Sequence, residues 1–386
     1  MLCFKKRYKK IKADRKPKIK TGLESVISTQ RTMQKRTLGR TGWNVSVIGF
    51  GAIKLPRIAQ HECDRLLHQA LDKGINFFDT ADCYGDSEEK IGKALSRRRE
   101  EFFLSTKIDE RDDRGVTLKL ERSLRRLRTD FIDLVFFHDV RGGEYEALFE
   151  RGGLSALQRA QEQGKLREIG VSIHHSISMM MEAIQSGVFS VLMVAYSALD
   201  EDRLSATILP MASREGVGLI AMKPLAGGRL GEPKGWDHRF FKKQTPGQVA
   251  LRYVLSRSEI SCAIPGMMGL RELEENVEVG RNPRPLSAEE ITRLMDWVGG
   301  VGKGFCRNCG YCLPCPEGIP IPDIFRFENY HERYALKGWA IEQYRCLPVD
   351  AGACSHCDRC VSRCPYGVPI PERLQTIHRL LGRDGG

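Results

Sequence analysis

The chain contains no long apolar segment. No stretch approaches the roughly 20 consecutive apolar residues that a membrane-spanning helix needs, and the first residues have no apolar core of the signal-peptide type. We therefore predict neither a membrane span nor a secretion signal. Hydrophobic residues make up 41% and charged residues 28% of the 386 residues, which is typical of a soluble protein with room for two or three domains.

The chain also has little net positive charge outside its first residues. Residues 1–32 contain eleven Lys or Arg against Asp14 and Glu24, a balance of +9 out of a total of +12, which leaves about +3 for the rest. A basic tail can bind nucleic acid or anionic lipid, but a solvated extension carries the same charge. We predict a basic disordered tail over 1–32 and infer no nucleic-acid binding, because a natural domain start, MQKRTLGRTG, begins only at Met33.

Cysteine, by contrast, is abundant and concentrated towards the C-terminal end. The segment CRNCGYCLPCP has the spacing C-x2-C-x2-C-x2-C, and CSHCDRCVSRCP has the spacing C-x2-C-x2-C-x3-C. Their cysteines are Cys306, Cys309, Cys312 and Cys315, then Cys354, Cys357, Cys360 and Cys364, and each run ends in Cys-Pro. The second run has the spacing with which bacterial ferredoxins ligate iron–sulfur clusters, and the first departs from it by one residue.

Two such runs predict two 4Fe-4S clusters. In two-cluster ferredoxins the fourth cysteine of each run ligates the other cluster. The predicted sets are therefore Cys306, Cys309, Cys312 with Cys364, and Cys354, Cys357, Cys360 with Cys315. Structural zinc is the alternative, because paired C-x2-C units also build zinc sites, and disulfides are a third. Thirteen cysteines, eight of them in these runs, favour a reducing, cytoplasmic setting.

Short apolar segments alternate with helical ones from residue 36 onwards. Segments such as INFFD, FIDLVFFH and VGLIAMK are apolar on both faces and are separated by amphipathic stretches, which indicates a parallel sheet. Eight strand–helix units in roughly 250 residues predict an α/β fold, a (β/α)8 TIM barrel. A doubly wound sheet is the alternative, but no G-x-G-x-x-G follows the first strand.

We place the barrel at residues 33–299 and a small ferredoxin-like iron–sulfur domain at residues 300–386. The glycine-rich segment DWVGGVGKGF between them has the composition of a linker. The second domain is too small to build a large core around eight cysteines, so cluster ligation would supply much of its folding free energy.

Four ionisable residues follow three consecutive predicted strands. Asp79 ends INFFD, Tyr84 lies five residues on, Lys107 ends FFLSTK and His138 ends LVFFH. Because barrel active sites lie at the C-terminal ends of the strands, we expect all four at one mouth, where they suit proton delivery to a carbonyl oxygen. Asp79 would hold Lys107, and Lys107 would lower the pKa of the Tyr84 phenol. His138 would orient the oxygen or share the proton, and a nicotinamide in the same mouth would provide hydride.

The sequence resembles the aldo-keto reductases over residues 33 to about 295. The resemblance rests on RTLGRTGWNVSVIGFG, INFFDTADCYGDSEEKIGKAL, LSTK, IDLVFFHD, KLREIGVS, VGLIAMKPLAGG and IPG…LEENV. With its cysteine runs, the whole chain resembles the subfamily that carries a ferredoxin-type C-terminal domain. The family implies a catalytic tetrad at Asp79, Tyr84, Lys107 and His138, with Tyr84 as general acid, or as base in oxidation. It also implies a nicotinamide cofactor extended across the barrel mouth.

The resemblance further implies cofactor contacts. Ser172 matches a residue that holds the carboxamide, although Ile173 replaces the usual Asn, and Met222 replaces a stacking aromatic. The remaining matches are Lys223, Leu225, Gly227 and Gly228 in the pyrophosphate loop, and Glu275 and Asn276 at the adenine.

The nucleotide itself, NADP or NAD, stays open. Gly266 and Glu272 stand where NADP-dependent members place cations for the 2′-phosphate. Arg271, beside Glu272, slightly favours NADP.

The role of the clusters stays open as well. They could pass two electrons to an external ferredoxin-like carrier, form a structural wall of the substrate cleft, or sense redox state or oxygen. Nothing in the sequence marks a flavin site. The leading hypothesis is a NAD(P)-dependent oxidoreductase acting on an aldehyde, a ketone or the corresponding alcohol. The alternatives are a non-catalytic nicotinamide-binding barrel and an electron-transfer protein that docks a redox partner through its clusters.

Overall fold

The computed structural model describes residues 32–174, 176–199, 204–232, 234–301, 303–308 and 310–382. The tail predicted over residues 1–32 lies outside this part of the chain except for Thr32, and so does the predicted cluster ligand Cys309. The described residues of the barrel and of the C-terminal module belong to one compact unit.

A short hairpin precedes the barrel. Strands β1 (Lys35–Thr37) and β2 (Asn44–Ser46) pair antiparallel, and Gly42 turns the chain between them with φ of 70°. Leu38 and Val45 pack among the side chains that fill the barrel interior.

Eight parallel strands form the barrel within the described residues. Each strand pairs with the next one along the chain, and bridges from Ile48 to Ala263 and from Gly51 to Gly266 join the first strand to the last. The strands are β3 (Phe50–Gly51), β4 (Phe77–Asp79), β5 (Phe103–Ile108), β6 (Ile132–Phe137), β7 (Leu166–Ile173), β8 (Val191–Ala195), β9 (Gly218–Met222) and β10 (Ile260–Ile264). The predicted (β/α)8 barrel is confirmed, because a doubly wound sheet would leave two open edges.

Helices cover the outside of the barrel. They are α1 (Gln60–Asp72), α2 (Ser87–Leu95), α3 (Asp113–Leu127), α4 (Glu144–Glu150), α5 (Gly153–Glu162), α6 (Ile177–Gln185), α7 (Ile208–Arg214), α8 (Pro246–Leu255) and α9 (Leu270–Arg281). The Thr245 side chain caps α8 by accepting from the Gln248 N–H, and Pro246 occupies the first position of the helix.

The helical segment between β6 and β7 is divided into α4 and α5. Gly152 lies between them in a left-handed conformation, with φ of 80°. At Gly153 a Cβ would lie 2.3 Å from the carbonyl oxygen of Arg111. The left-handed Gly152 therefore breaks the helix, and Gly153 must lack a side chain because it lies close to the loop before α3.

The linker prediction is wrong for the first part of DWVGGVGKGF. Helix α10 (Ala288–Val301) continues through both glycines of this segment. Val298 is buried, and Trp297 Nε1 donates to the Lys234 carbonyl oxygen at 2.9 Å. Packing outweighs the low helix propensity of glycine here.

The C-terminal module consists of short helices around a second core. They are α11 (Ile321–Tyr334), α12 (Lys337–Arg345), α13 (Arg359–Arg363) and α14 (Ile370–Leu381). The core combines side chains of α11, α12 and α14 with Ala81 and Tyr84 of the barrel, so the module packs directly on the barrel mouth. None of the helices in the described ranges is both long and apolar enough to span a bilayer.

Candidate active site

The barrel places the four predicted catalytic residues at one rim. Asp79 ends β4, Lys107 lies near the end of β5, His138 follows β6, and Tyr84 lies in the turns between β4 and α2. The ring centroids of Tyr84 and His138 are 5.8 Å apart. Lys107 Nζ lies 5.1 Å from the centroid of the Tyr84 ring. The structure thus brings the four side chains together.

Lys107 is fixed by two acceptors. Its Nζ donates to the Asp79 carboxylate at 2.5 Å and to the Thr80 carbonyl oxygen at 2.6 Å. Ser105 Oγ donates to the other Asp79 oxygen at 2.7 Å. Burial raises the pKa of the Asp79 carboxyl, and Lys107 and Ser105 oppose that rise. Moving the Lys107 ammonium away would leave the Asp79 carboxylate buried without a counter-charge, so the ammonium stays beside the Tyr84 ring.

Tyr84 is covered by the C-terminal module. Its side chain is 8% exposed and belongs to one buried cluster with Tyr330, Tyr334 and Leu336. Burial first, and then Tyr330 and Asp79, raise the pKa of Tyr84 well above its ordinary value. This differs from the lowered pKa predicted from Lys107, because removal of water penalises the phenolate more than one ammonium stabilises it. The phenol therefore keeps its proton at neutral pH.

His138 is a neutral imidazole in this environment. Burial, and then the Lys107 charge, lower its pKa to about 3. Its Nδ1 lies 3.5 Å from Cys83 Sγ, and burial raises the pKa of the Cys83 thiol. A thiol that donates to Nδ1 leaves the ring proton on Nε2, where it can be donated to a carbonyl oxygen. The sequence prediction did not include Cys83, although its place next to Tyr84 was a signal.

Asp139, the residue after His138, was also missing from the predicted site. Its carboxylate lies 3.2 Å from His174 Nδ1 and 2.8 Å from an Arg326 nitrogen of α11, and it accepts from Arg141 Nε at 3.1 Å. Burial alone would raise the pKa of Asp139, but His174, Arg141 and Arg326 together hold it well below its usual value. A buried carboxylate therefore joins the rim of the barrel to the module.

Some of the implied nicotinamide contacts line a cavity at the barrel mouth. This mouth cavity is open to solvent and is lined by Lys223 and Gly227 from the barrel and by Tyr330 and Tyr334 from the module. Gly227 and Gly228 have φ of 69° and 96°, conformations that favour glycine. A lysine beside a glycine-rich turn suits the pyrophosphate of a dinucleotide, so the residues present fit this part of the cofactor.

The other implied contacts do not line this cavity. Ser172 Oγ accepts from the Asp139 N–H at 2.7 Å, Met222 is buried at the end of β9, and Leu225 precedes the glycine turn. The contacts implied for the adenine end, Arg271, Glu275 and Asn276, are together on α9.

On α9 the exposed Arg271 pairs with Glu275, Nε to Oε1, at 3.0 Å. Glu275 also accepts from Thr245 Oγ1 at 3.2 Å. The cation nearest Glu272 is Lys54, with 3.6 Å between Nζ and Oε1. Sequence spacing could not indicate Lys54, because it comes from the opposite end of the barrel sequence.

Two cavities in the module gather cysteines from both runs. The inner cavity, of about 330 Å³, is lined by Cys306, Cys312 and Cys364. The outer cavity, of about 340 Å³, is lined by Cys312, Cys315, Cys354, Cys357 and Cys360. The fourth cysteine of each run thus faces the cavity of the other run, and this donor set fits two 4Fe-4S clusters. Within the described ranges, no group of three or more His, Cys, Asp or Glu is arranged for a single metal ion.

Comparisons with known proteins agree with this architecture. A sequence model of the "Aldo/keto reductase family" matches residues 47–297, and one of the "4Fe-4S dicluster domain" matches residues 305–369. The L-galactose dehydrogenase of Arabidopsis thaliana is 29% identical over 70% of this chain and 98% of its own length. The pyridoxal 4-dehydrogenase of Microbacterium luteolum is 25% identical over 58% of this chain and 79% of its own. The solved structure of aldo-keto reductase AKR11C1 from Bacillus halodurans matches with a TM-score of 0.58 at 26% identity, covering 68% of this chain and 96% of that one.

Proposed function

Because the chain belongs to the aldo/keto reductase family and carries a 4Fe-4S dicluster domain, we propose that it is a NAD(P)-dependent oxidoreductase that interconverts a carbonyl compound and its alcohol. The observation that carries this proposal is the Lys107 ammonium, anchored on Asp79 at 2.5 Å and held 5.1 Å from the centre of the Tyr84 ring. Two similar proteins are named as dehydrogenases of small molecules, L-galactose and pyridoxal, which supports the same class of chemistry.

The reaction needs one proton and one hydride for each carbonyl group. A bound nicotinamide supplies the hydride to the carbonyl carbon. Tyr84 donates its phenolic proton to the carbonyl oxygen, and the Lys107 ammonium stabilises the phenolate that remains. His138, neutral because it is buried, donates a hydrogen bond to the same oxygen and orients it. Tyr84 then regains a proton from solvent, and in the oxidation direction its phenolate accepts the alcohol proton.

The alternative of a non-catalytic nicotinamide-binding barrel explains less. A buried ammonium is expensive to retain unless it serves a purpose, and Lys107 is directed at a phenol that binding alone does not need. For the nucleotide we propose NADP or NAD, with Lys54 and the exposed Arg271 as the cations available to a 2′-phosphate.

Replacement of Tyr84 by Phe should lower kcat for carbonyl reduction by roughly 10²- to 10⁴-fold, because the proton donor is lost. Dinucleotide affinity, measured by NAD(P)H fluorescence, should stay near the wild-type value. Tyr145→Phe is the matched control, since Tyr145 is also 8% exposed but lies on the outer helix α4. Reduction by Tyr84→Phe at the wild-type rate would show that another group donates the proton.

The protonation states at the mouth predict the pH dependence of reduction. His138, with its pKa lowered to about 3, does not change charge between about pH 6 and pH 9. Tyr84, with its pKa raised well above 10, keeps its proton across that range. The log of kcat should therefore be flat there and fall only as the phenol deprotonates at higher pH. An inflection near the ordinary histidine pKa of about 6.5, removed by His138→Gln, would instead identify histidinium as the acid.

For the module we propose two 4Fe-4S clusters in a reducing, cytoplasmic setting. The inner cavity would take Cys306, Cys309, Cys312 and Cys364, and the outer cavity Cys315, Cys354, Cys357 and Cys360. The cavities support this assignment through their lining cysteines.

Anaerobically purified protein should contain about eight irons and eight sulfides per chain. Cys306→Ser should lower both to about four, because the inner site loses a ligand. Cys346→Ser is the control, since Cys346 is an exposed cysteine outside both runs. Stoichiometric zinc without iron would overturn the assignment.

A second candidate function is electron exchange with a ferredoxin-like carrier. Cys306 lines both the mouth cavity and the inner cavity, and Cys312 lines both the inner and the outer cavity. The three cavities therefore form a series from the barrel mouth to the exposed Cys357.

If the chain exchanges electrons, two equivalents of a one-electron, ferredoxin-type carrier should be reduced for each NAD(P)H oxidised under anaerobic conditions. Carrier absorbance measures the yield, and Cys306→Ser should abolish it while Cys346→Ser should not. A carrier that stays oxidised while carbonyl reduction proceeds would assign the clusters a structural role.

A further inference from the structure

The mouth cavity is unusually basic. Lys223 and Arg229 line it from the barrel, and Arg307, Arg326 and Arg333 line it from the module. No Asp or Glu is found among the described residues of its lining. Five positively charged side chains around one cavity outnumber the two negative charges of a dinucleotide pyrophosphate. Some of the five already interact with other groups of the protein.

Three of the five have other roles. Lys223 belongs to the loop that fits the pyrophosphate and lies 3.3 Å from His174 Nδ1. Arg326 is paired with the buried Asp139 at 2.8 Å. Arg307 donates to the Leu199 carbonyl oxygen at 2.7 Å and stacks on an aromatic ring of the inner cavity. The two that remain are Arg229, which follows the glycine turn, and Arg333 of α11.

Arg229 and Arg333 carry charge that the protein only weakly compensates. Among the described residues, no carboxylate lies within 4.0 Å of Arg229, whose guanidinium lies 3.9 Å from the centroid of the Phe305 ring. Burial, and then the Arg333 charge, lower the pKa of Arg229 to about 10. Arg333 reaches Glu232 only at 3.8 Å, and that carboxylate is 66% exposed. Half-buried cations in such a position need an anion to compensate them.

Two tyrosine side chains connect the cavity of this pair with the surroundings of the proton donor Tyr84. Tyr330 and Tyr334, one helical turn apart on α11, have ring centroids 5.6 Å apart. Both line the mouth cavity and both share a buried cluster with Tyr84. Arg333 directly precedes Tyr334 in the same helix. A substrate that reaches Tyr84 beside these rings can place a second group at the two guanidinium groups.

Building on the proposed function, we propose that the substrate is a carboxylate-bearing aldehyde, ketone or alcohol whose carboxylate is bound by Arg229 and Arg333. The carbonyl group is reduced at Tyr84, and the iron–sulfur module contributes half of the anion site. The chemistry of the site, two guanidinium groups for one oxyanion, is also compatible with a phosphate of the cofactor. The experiment must therefore separate substrate charge from dinucleotide binding.

The test compares 4-carboxybenzaldehyde with methyl 4-formylbenzoate, which share the ring and the aldehyde and differ in charge. With cluster-loaded full-length protein and NAD(P)H, kcat/KM for the acid should exceed that for the ester by roughly 10- to 100-fold, the size of a charge-assisted hydrogen bond. In Arg229→Met and Arg333→Met this ratio should fall towards one. Arg345→Met is the control, because Arg345 is exposed on α12, and it should keep the ratio.

Dinucleotide dissociation constants are measured separately by NADPH and NADH fluorescence. They show whether the two arginines bind the substrate carboxylate or a phosphate of the cofactor. Arg333→Met should leave both constants within about twofold of wild type while the acid-to-ester ratio falls. Equal reduction of acid and ester by the wild type would overturn the proposal. It would also be overturned if the dinucleotide constants weakened by the same factor as the acid.

If the protein reduces neither aldehyde, the proposed function fails, and calorimetry with benzoate and benzamide then tests the anion site by itself. Binding of benzoate but not benzamide, lost in Arg333→Met, supports the site. Absence of this discrimination overturns it.

Discussion

The buried carboxylate of Asp139 determines how the C-terminal module lies on the active site. A carboxylate removed from water costs several kcal/mol unless cations and hydrogen bonds compensate it. Asp139 meets this requirement with His174 and Arg141 from the barrel and Arg326 from α11. Because Arg141 of the barrel and Arg326 of the module share this one carboxylate, the position of α11 is tied to the rim of the barrel. Arg141 also pairs with Asp323 at the start of α11, which strengthens the same link.

The position of α11 in turn determines how far Tyr84 is shielded from water. Tyr330 follows Arg326 by one helical turn and covers Tyr84 together with Tyr334. Water excluded by this cover is the main cause of the raised pKa of Tyr84, and burial is the main cause of the lowered pKa of His138. The protonated phenol on which the proposed reduction relies therefore depends on a helix outside the barrel. A barrel without the module would leave Tyr84 more exposed to water, with a pKa closer to its ordinary value.

This dependence connects the cysteine runs to the environment of Tyr84 under any of the hypotheses for the clusters. Helix α11 begins six residues after Cys315, and α14, which packs on α11, begins six residues after Cys364. Ligation of both runs would fix the two ends of the segment that carries Arg326, Tyr330 and Tyr334, and metal ligation commonly supplies the folding free energy of such small modules. Structural support of the cleft and electron exchange are thus compatible functions of the same clusters.

The sequence predicted the part of the site that follows from barrel geometry. Asp79, Lys107 and His138 could be found because parallel strands place their C-terminal ends at one rim. The cross-run grouping of the cysteines could be proposed for a similar reason, since it follows from local spacing. Arg326, Tyr330 and Tyr334 could not be found, because they belong to a separate module and no periodicity relates their positions to the barrel mouth. The predicted direction of the pKa shift of Tyr84 was wrong for the same reason. The shift depends on burial by α11 and not on the neighbouring Lys107.

The charged residues at the barrel mouth come from both parts of the chain and have different roles. Asp79 pairs with Lys107, and Asp139 pairs with Arg141 and Arg326, so both carboxylates of the barrel rim are compensated before any substrate enters. Hydride and proton transfer to a carbonyl group leaves the net charge of the substrate unchanged, and the chemistry itself therefore has no need of Arg229 or Arg333. Excess positive charge at a cleft serves recognition, and half of it here comes from the module. In the proposed function the barrel supplies the reaction and the added module contributes to recognition of a charged substrate, which is consistent with sites, not folds, carrying specific function.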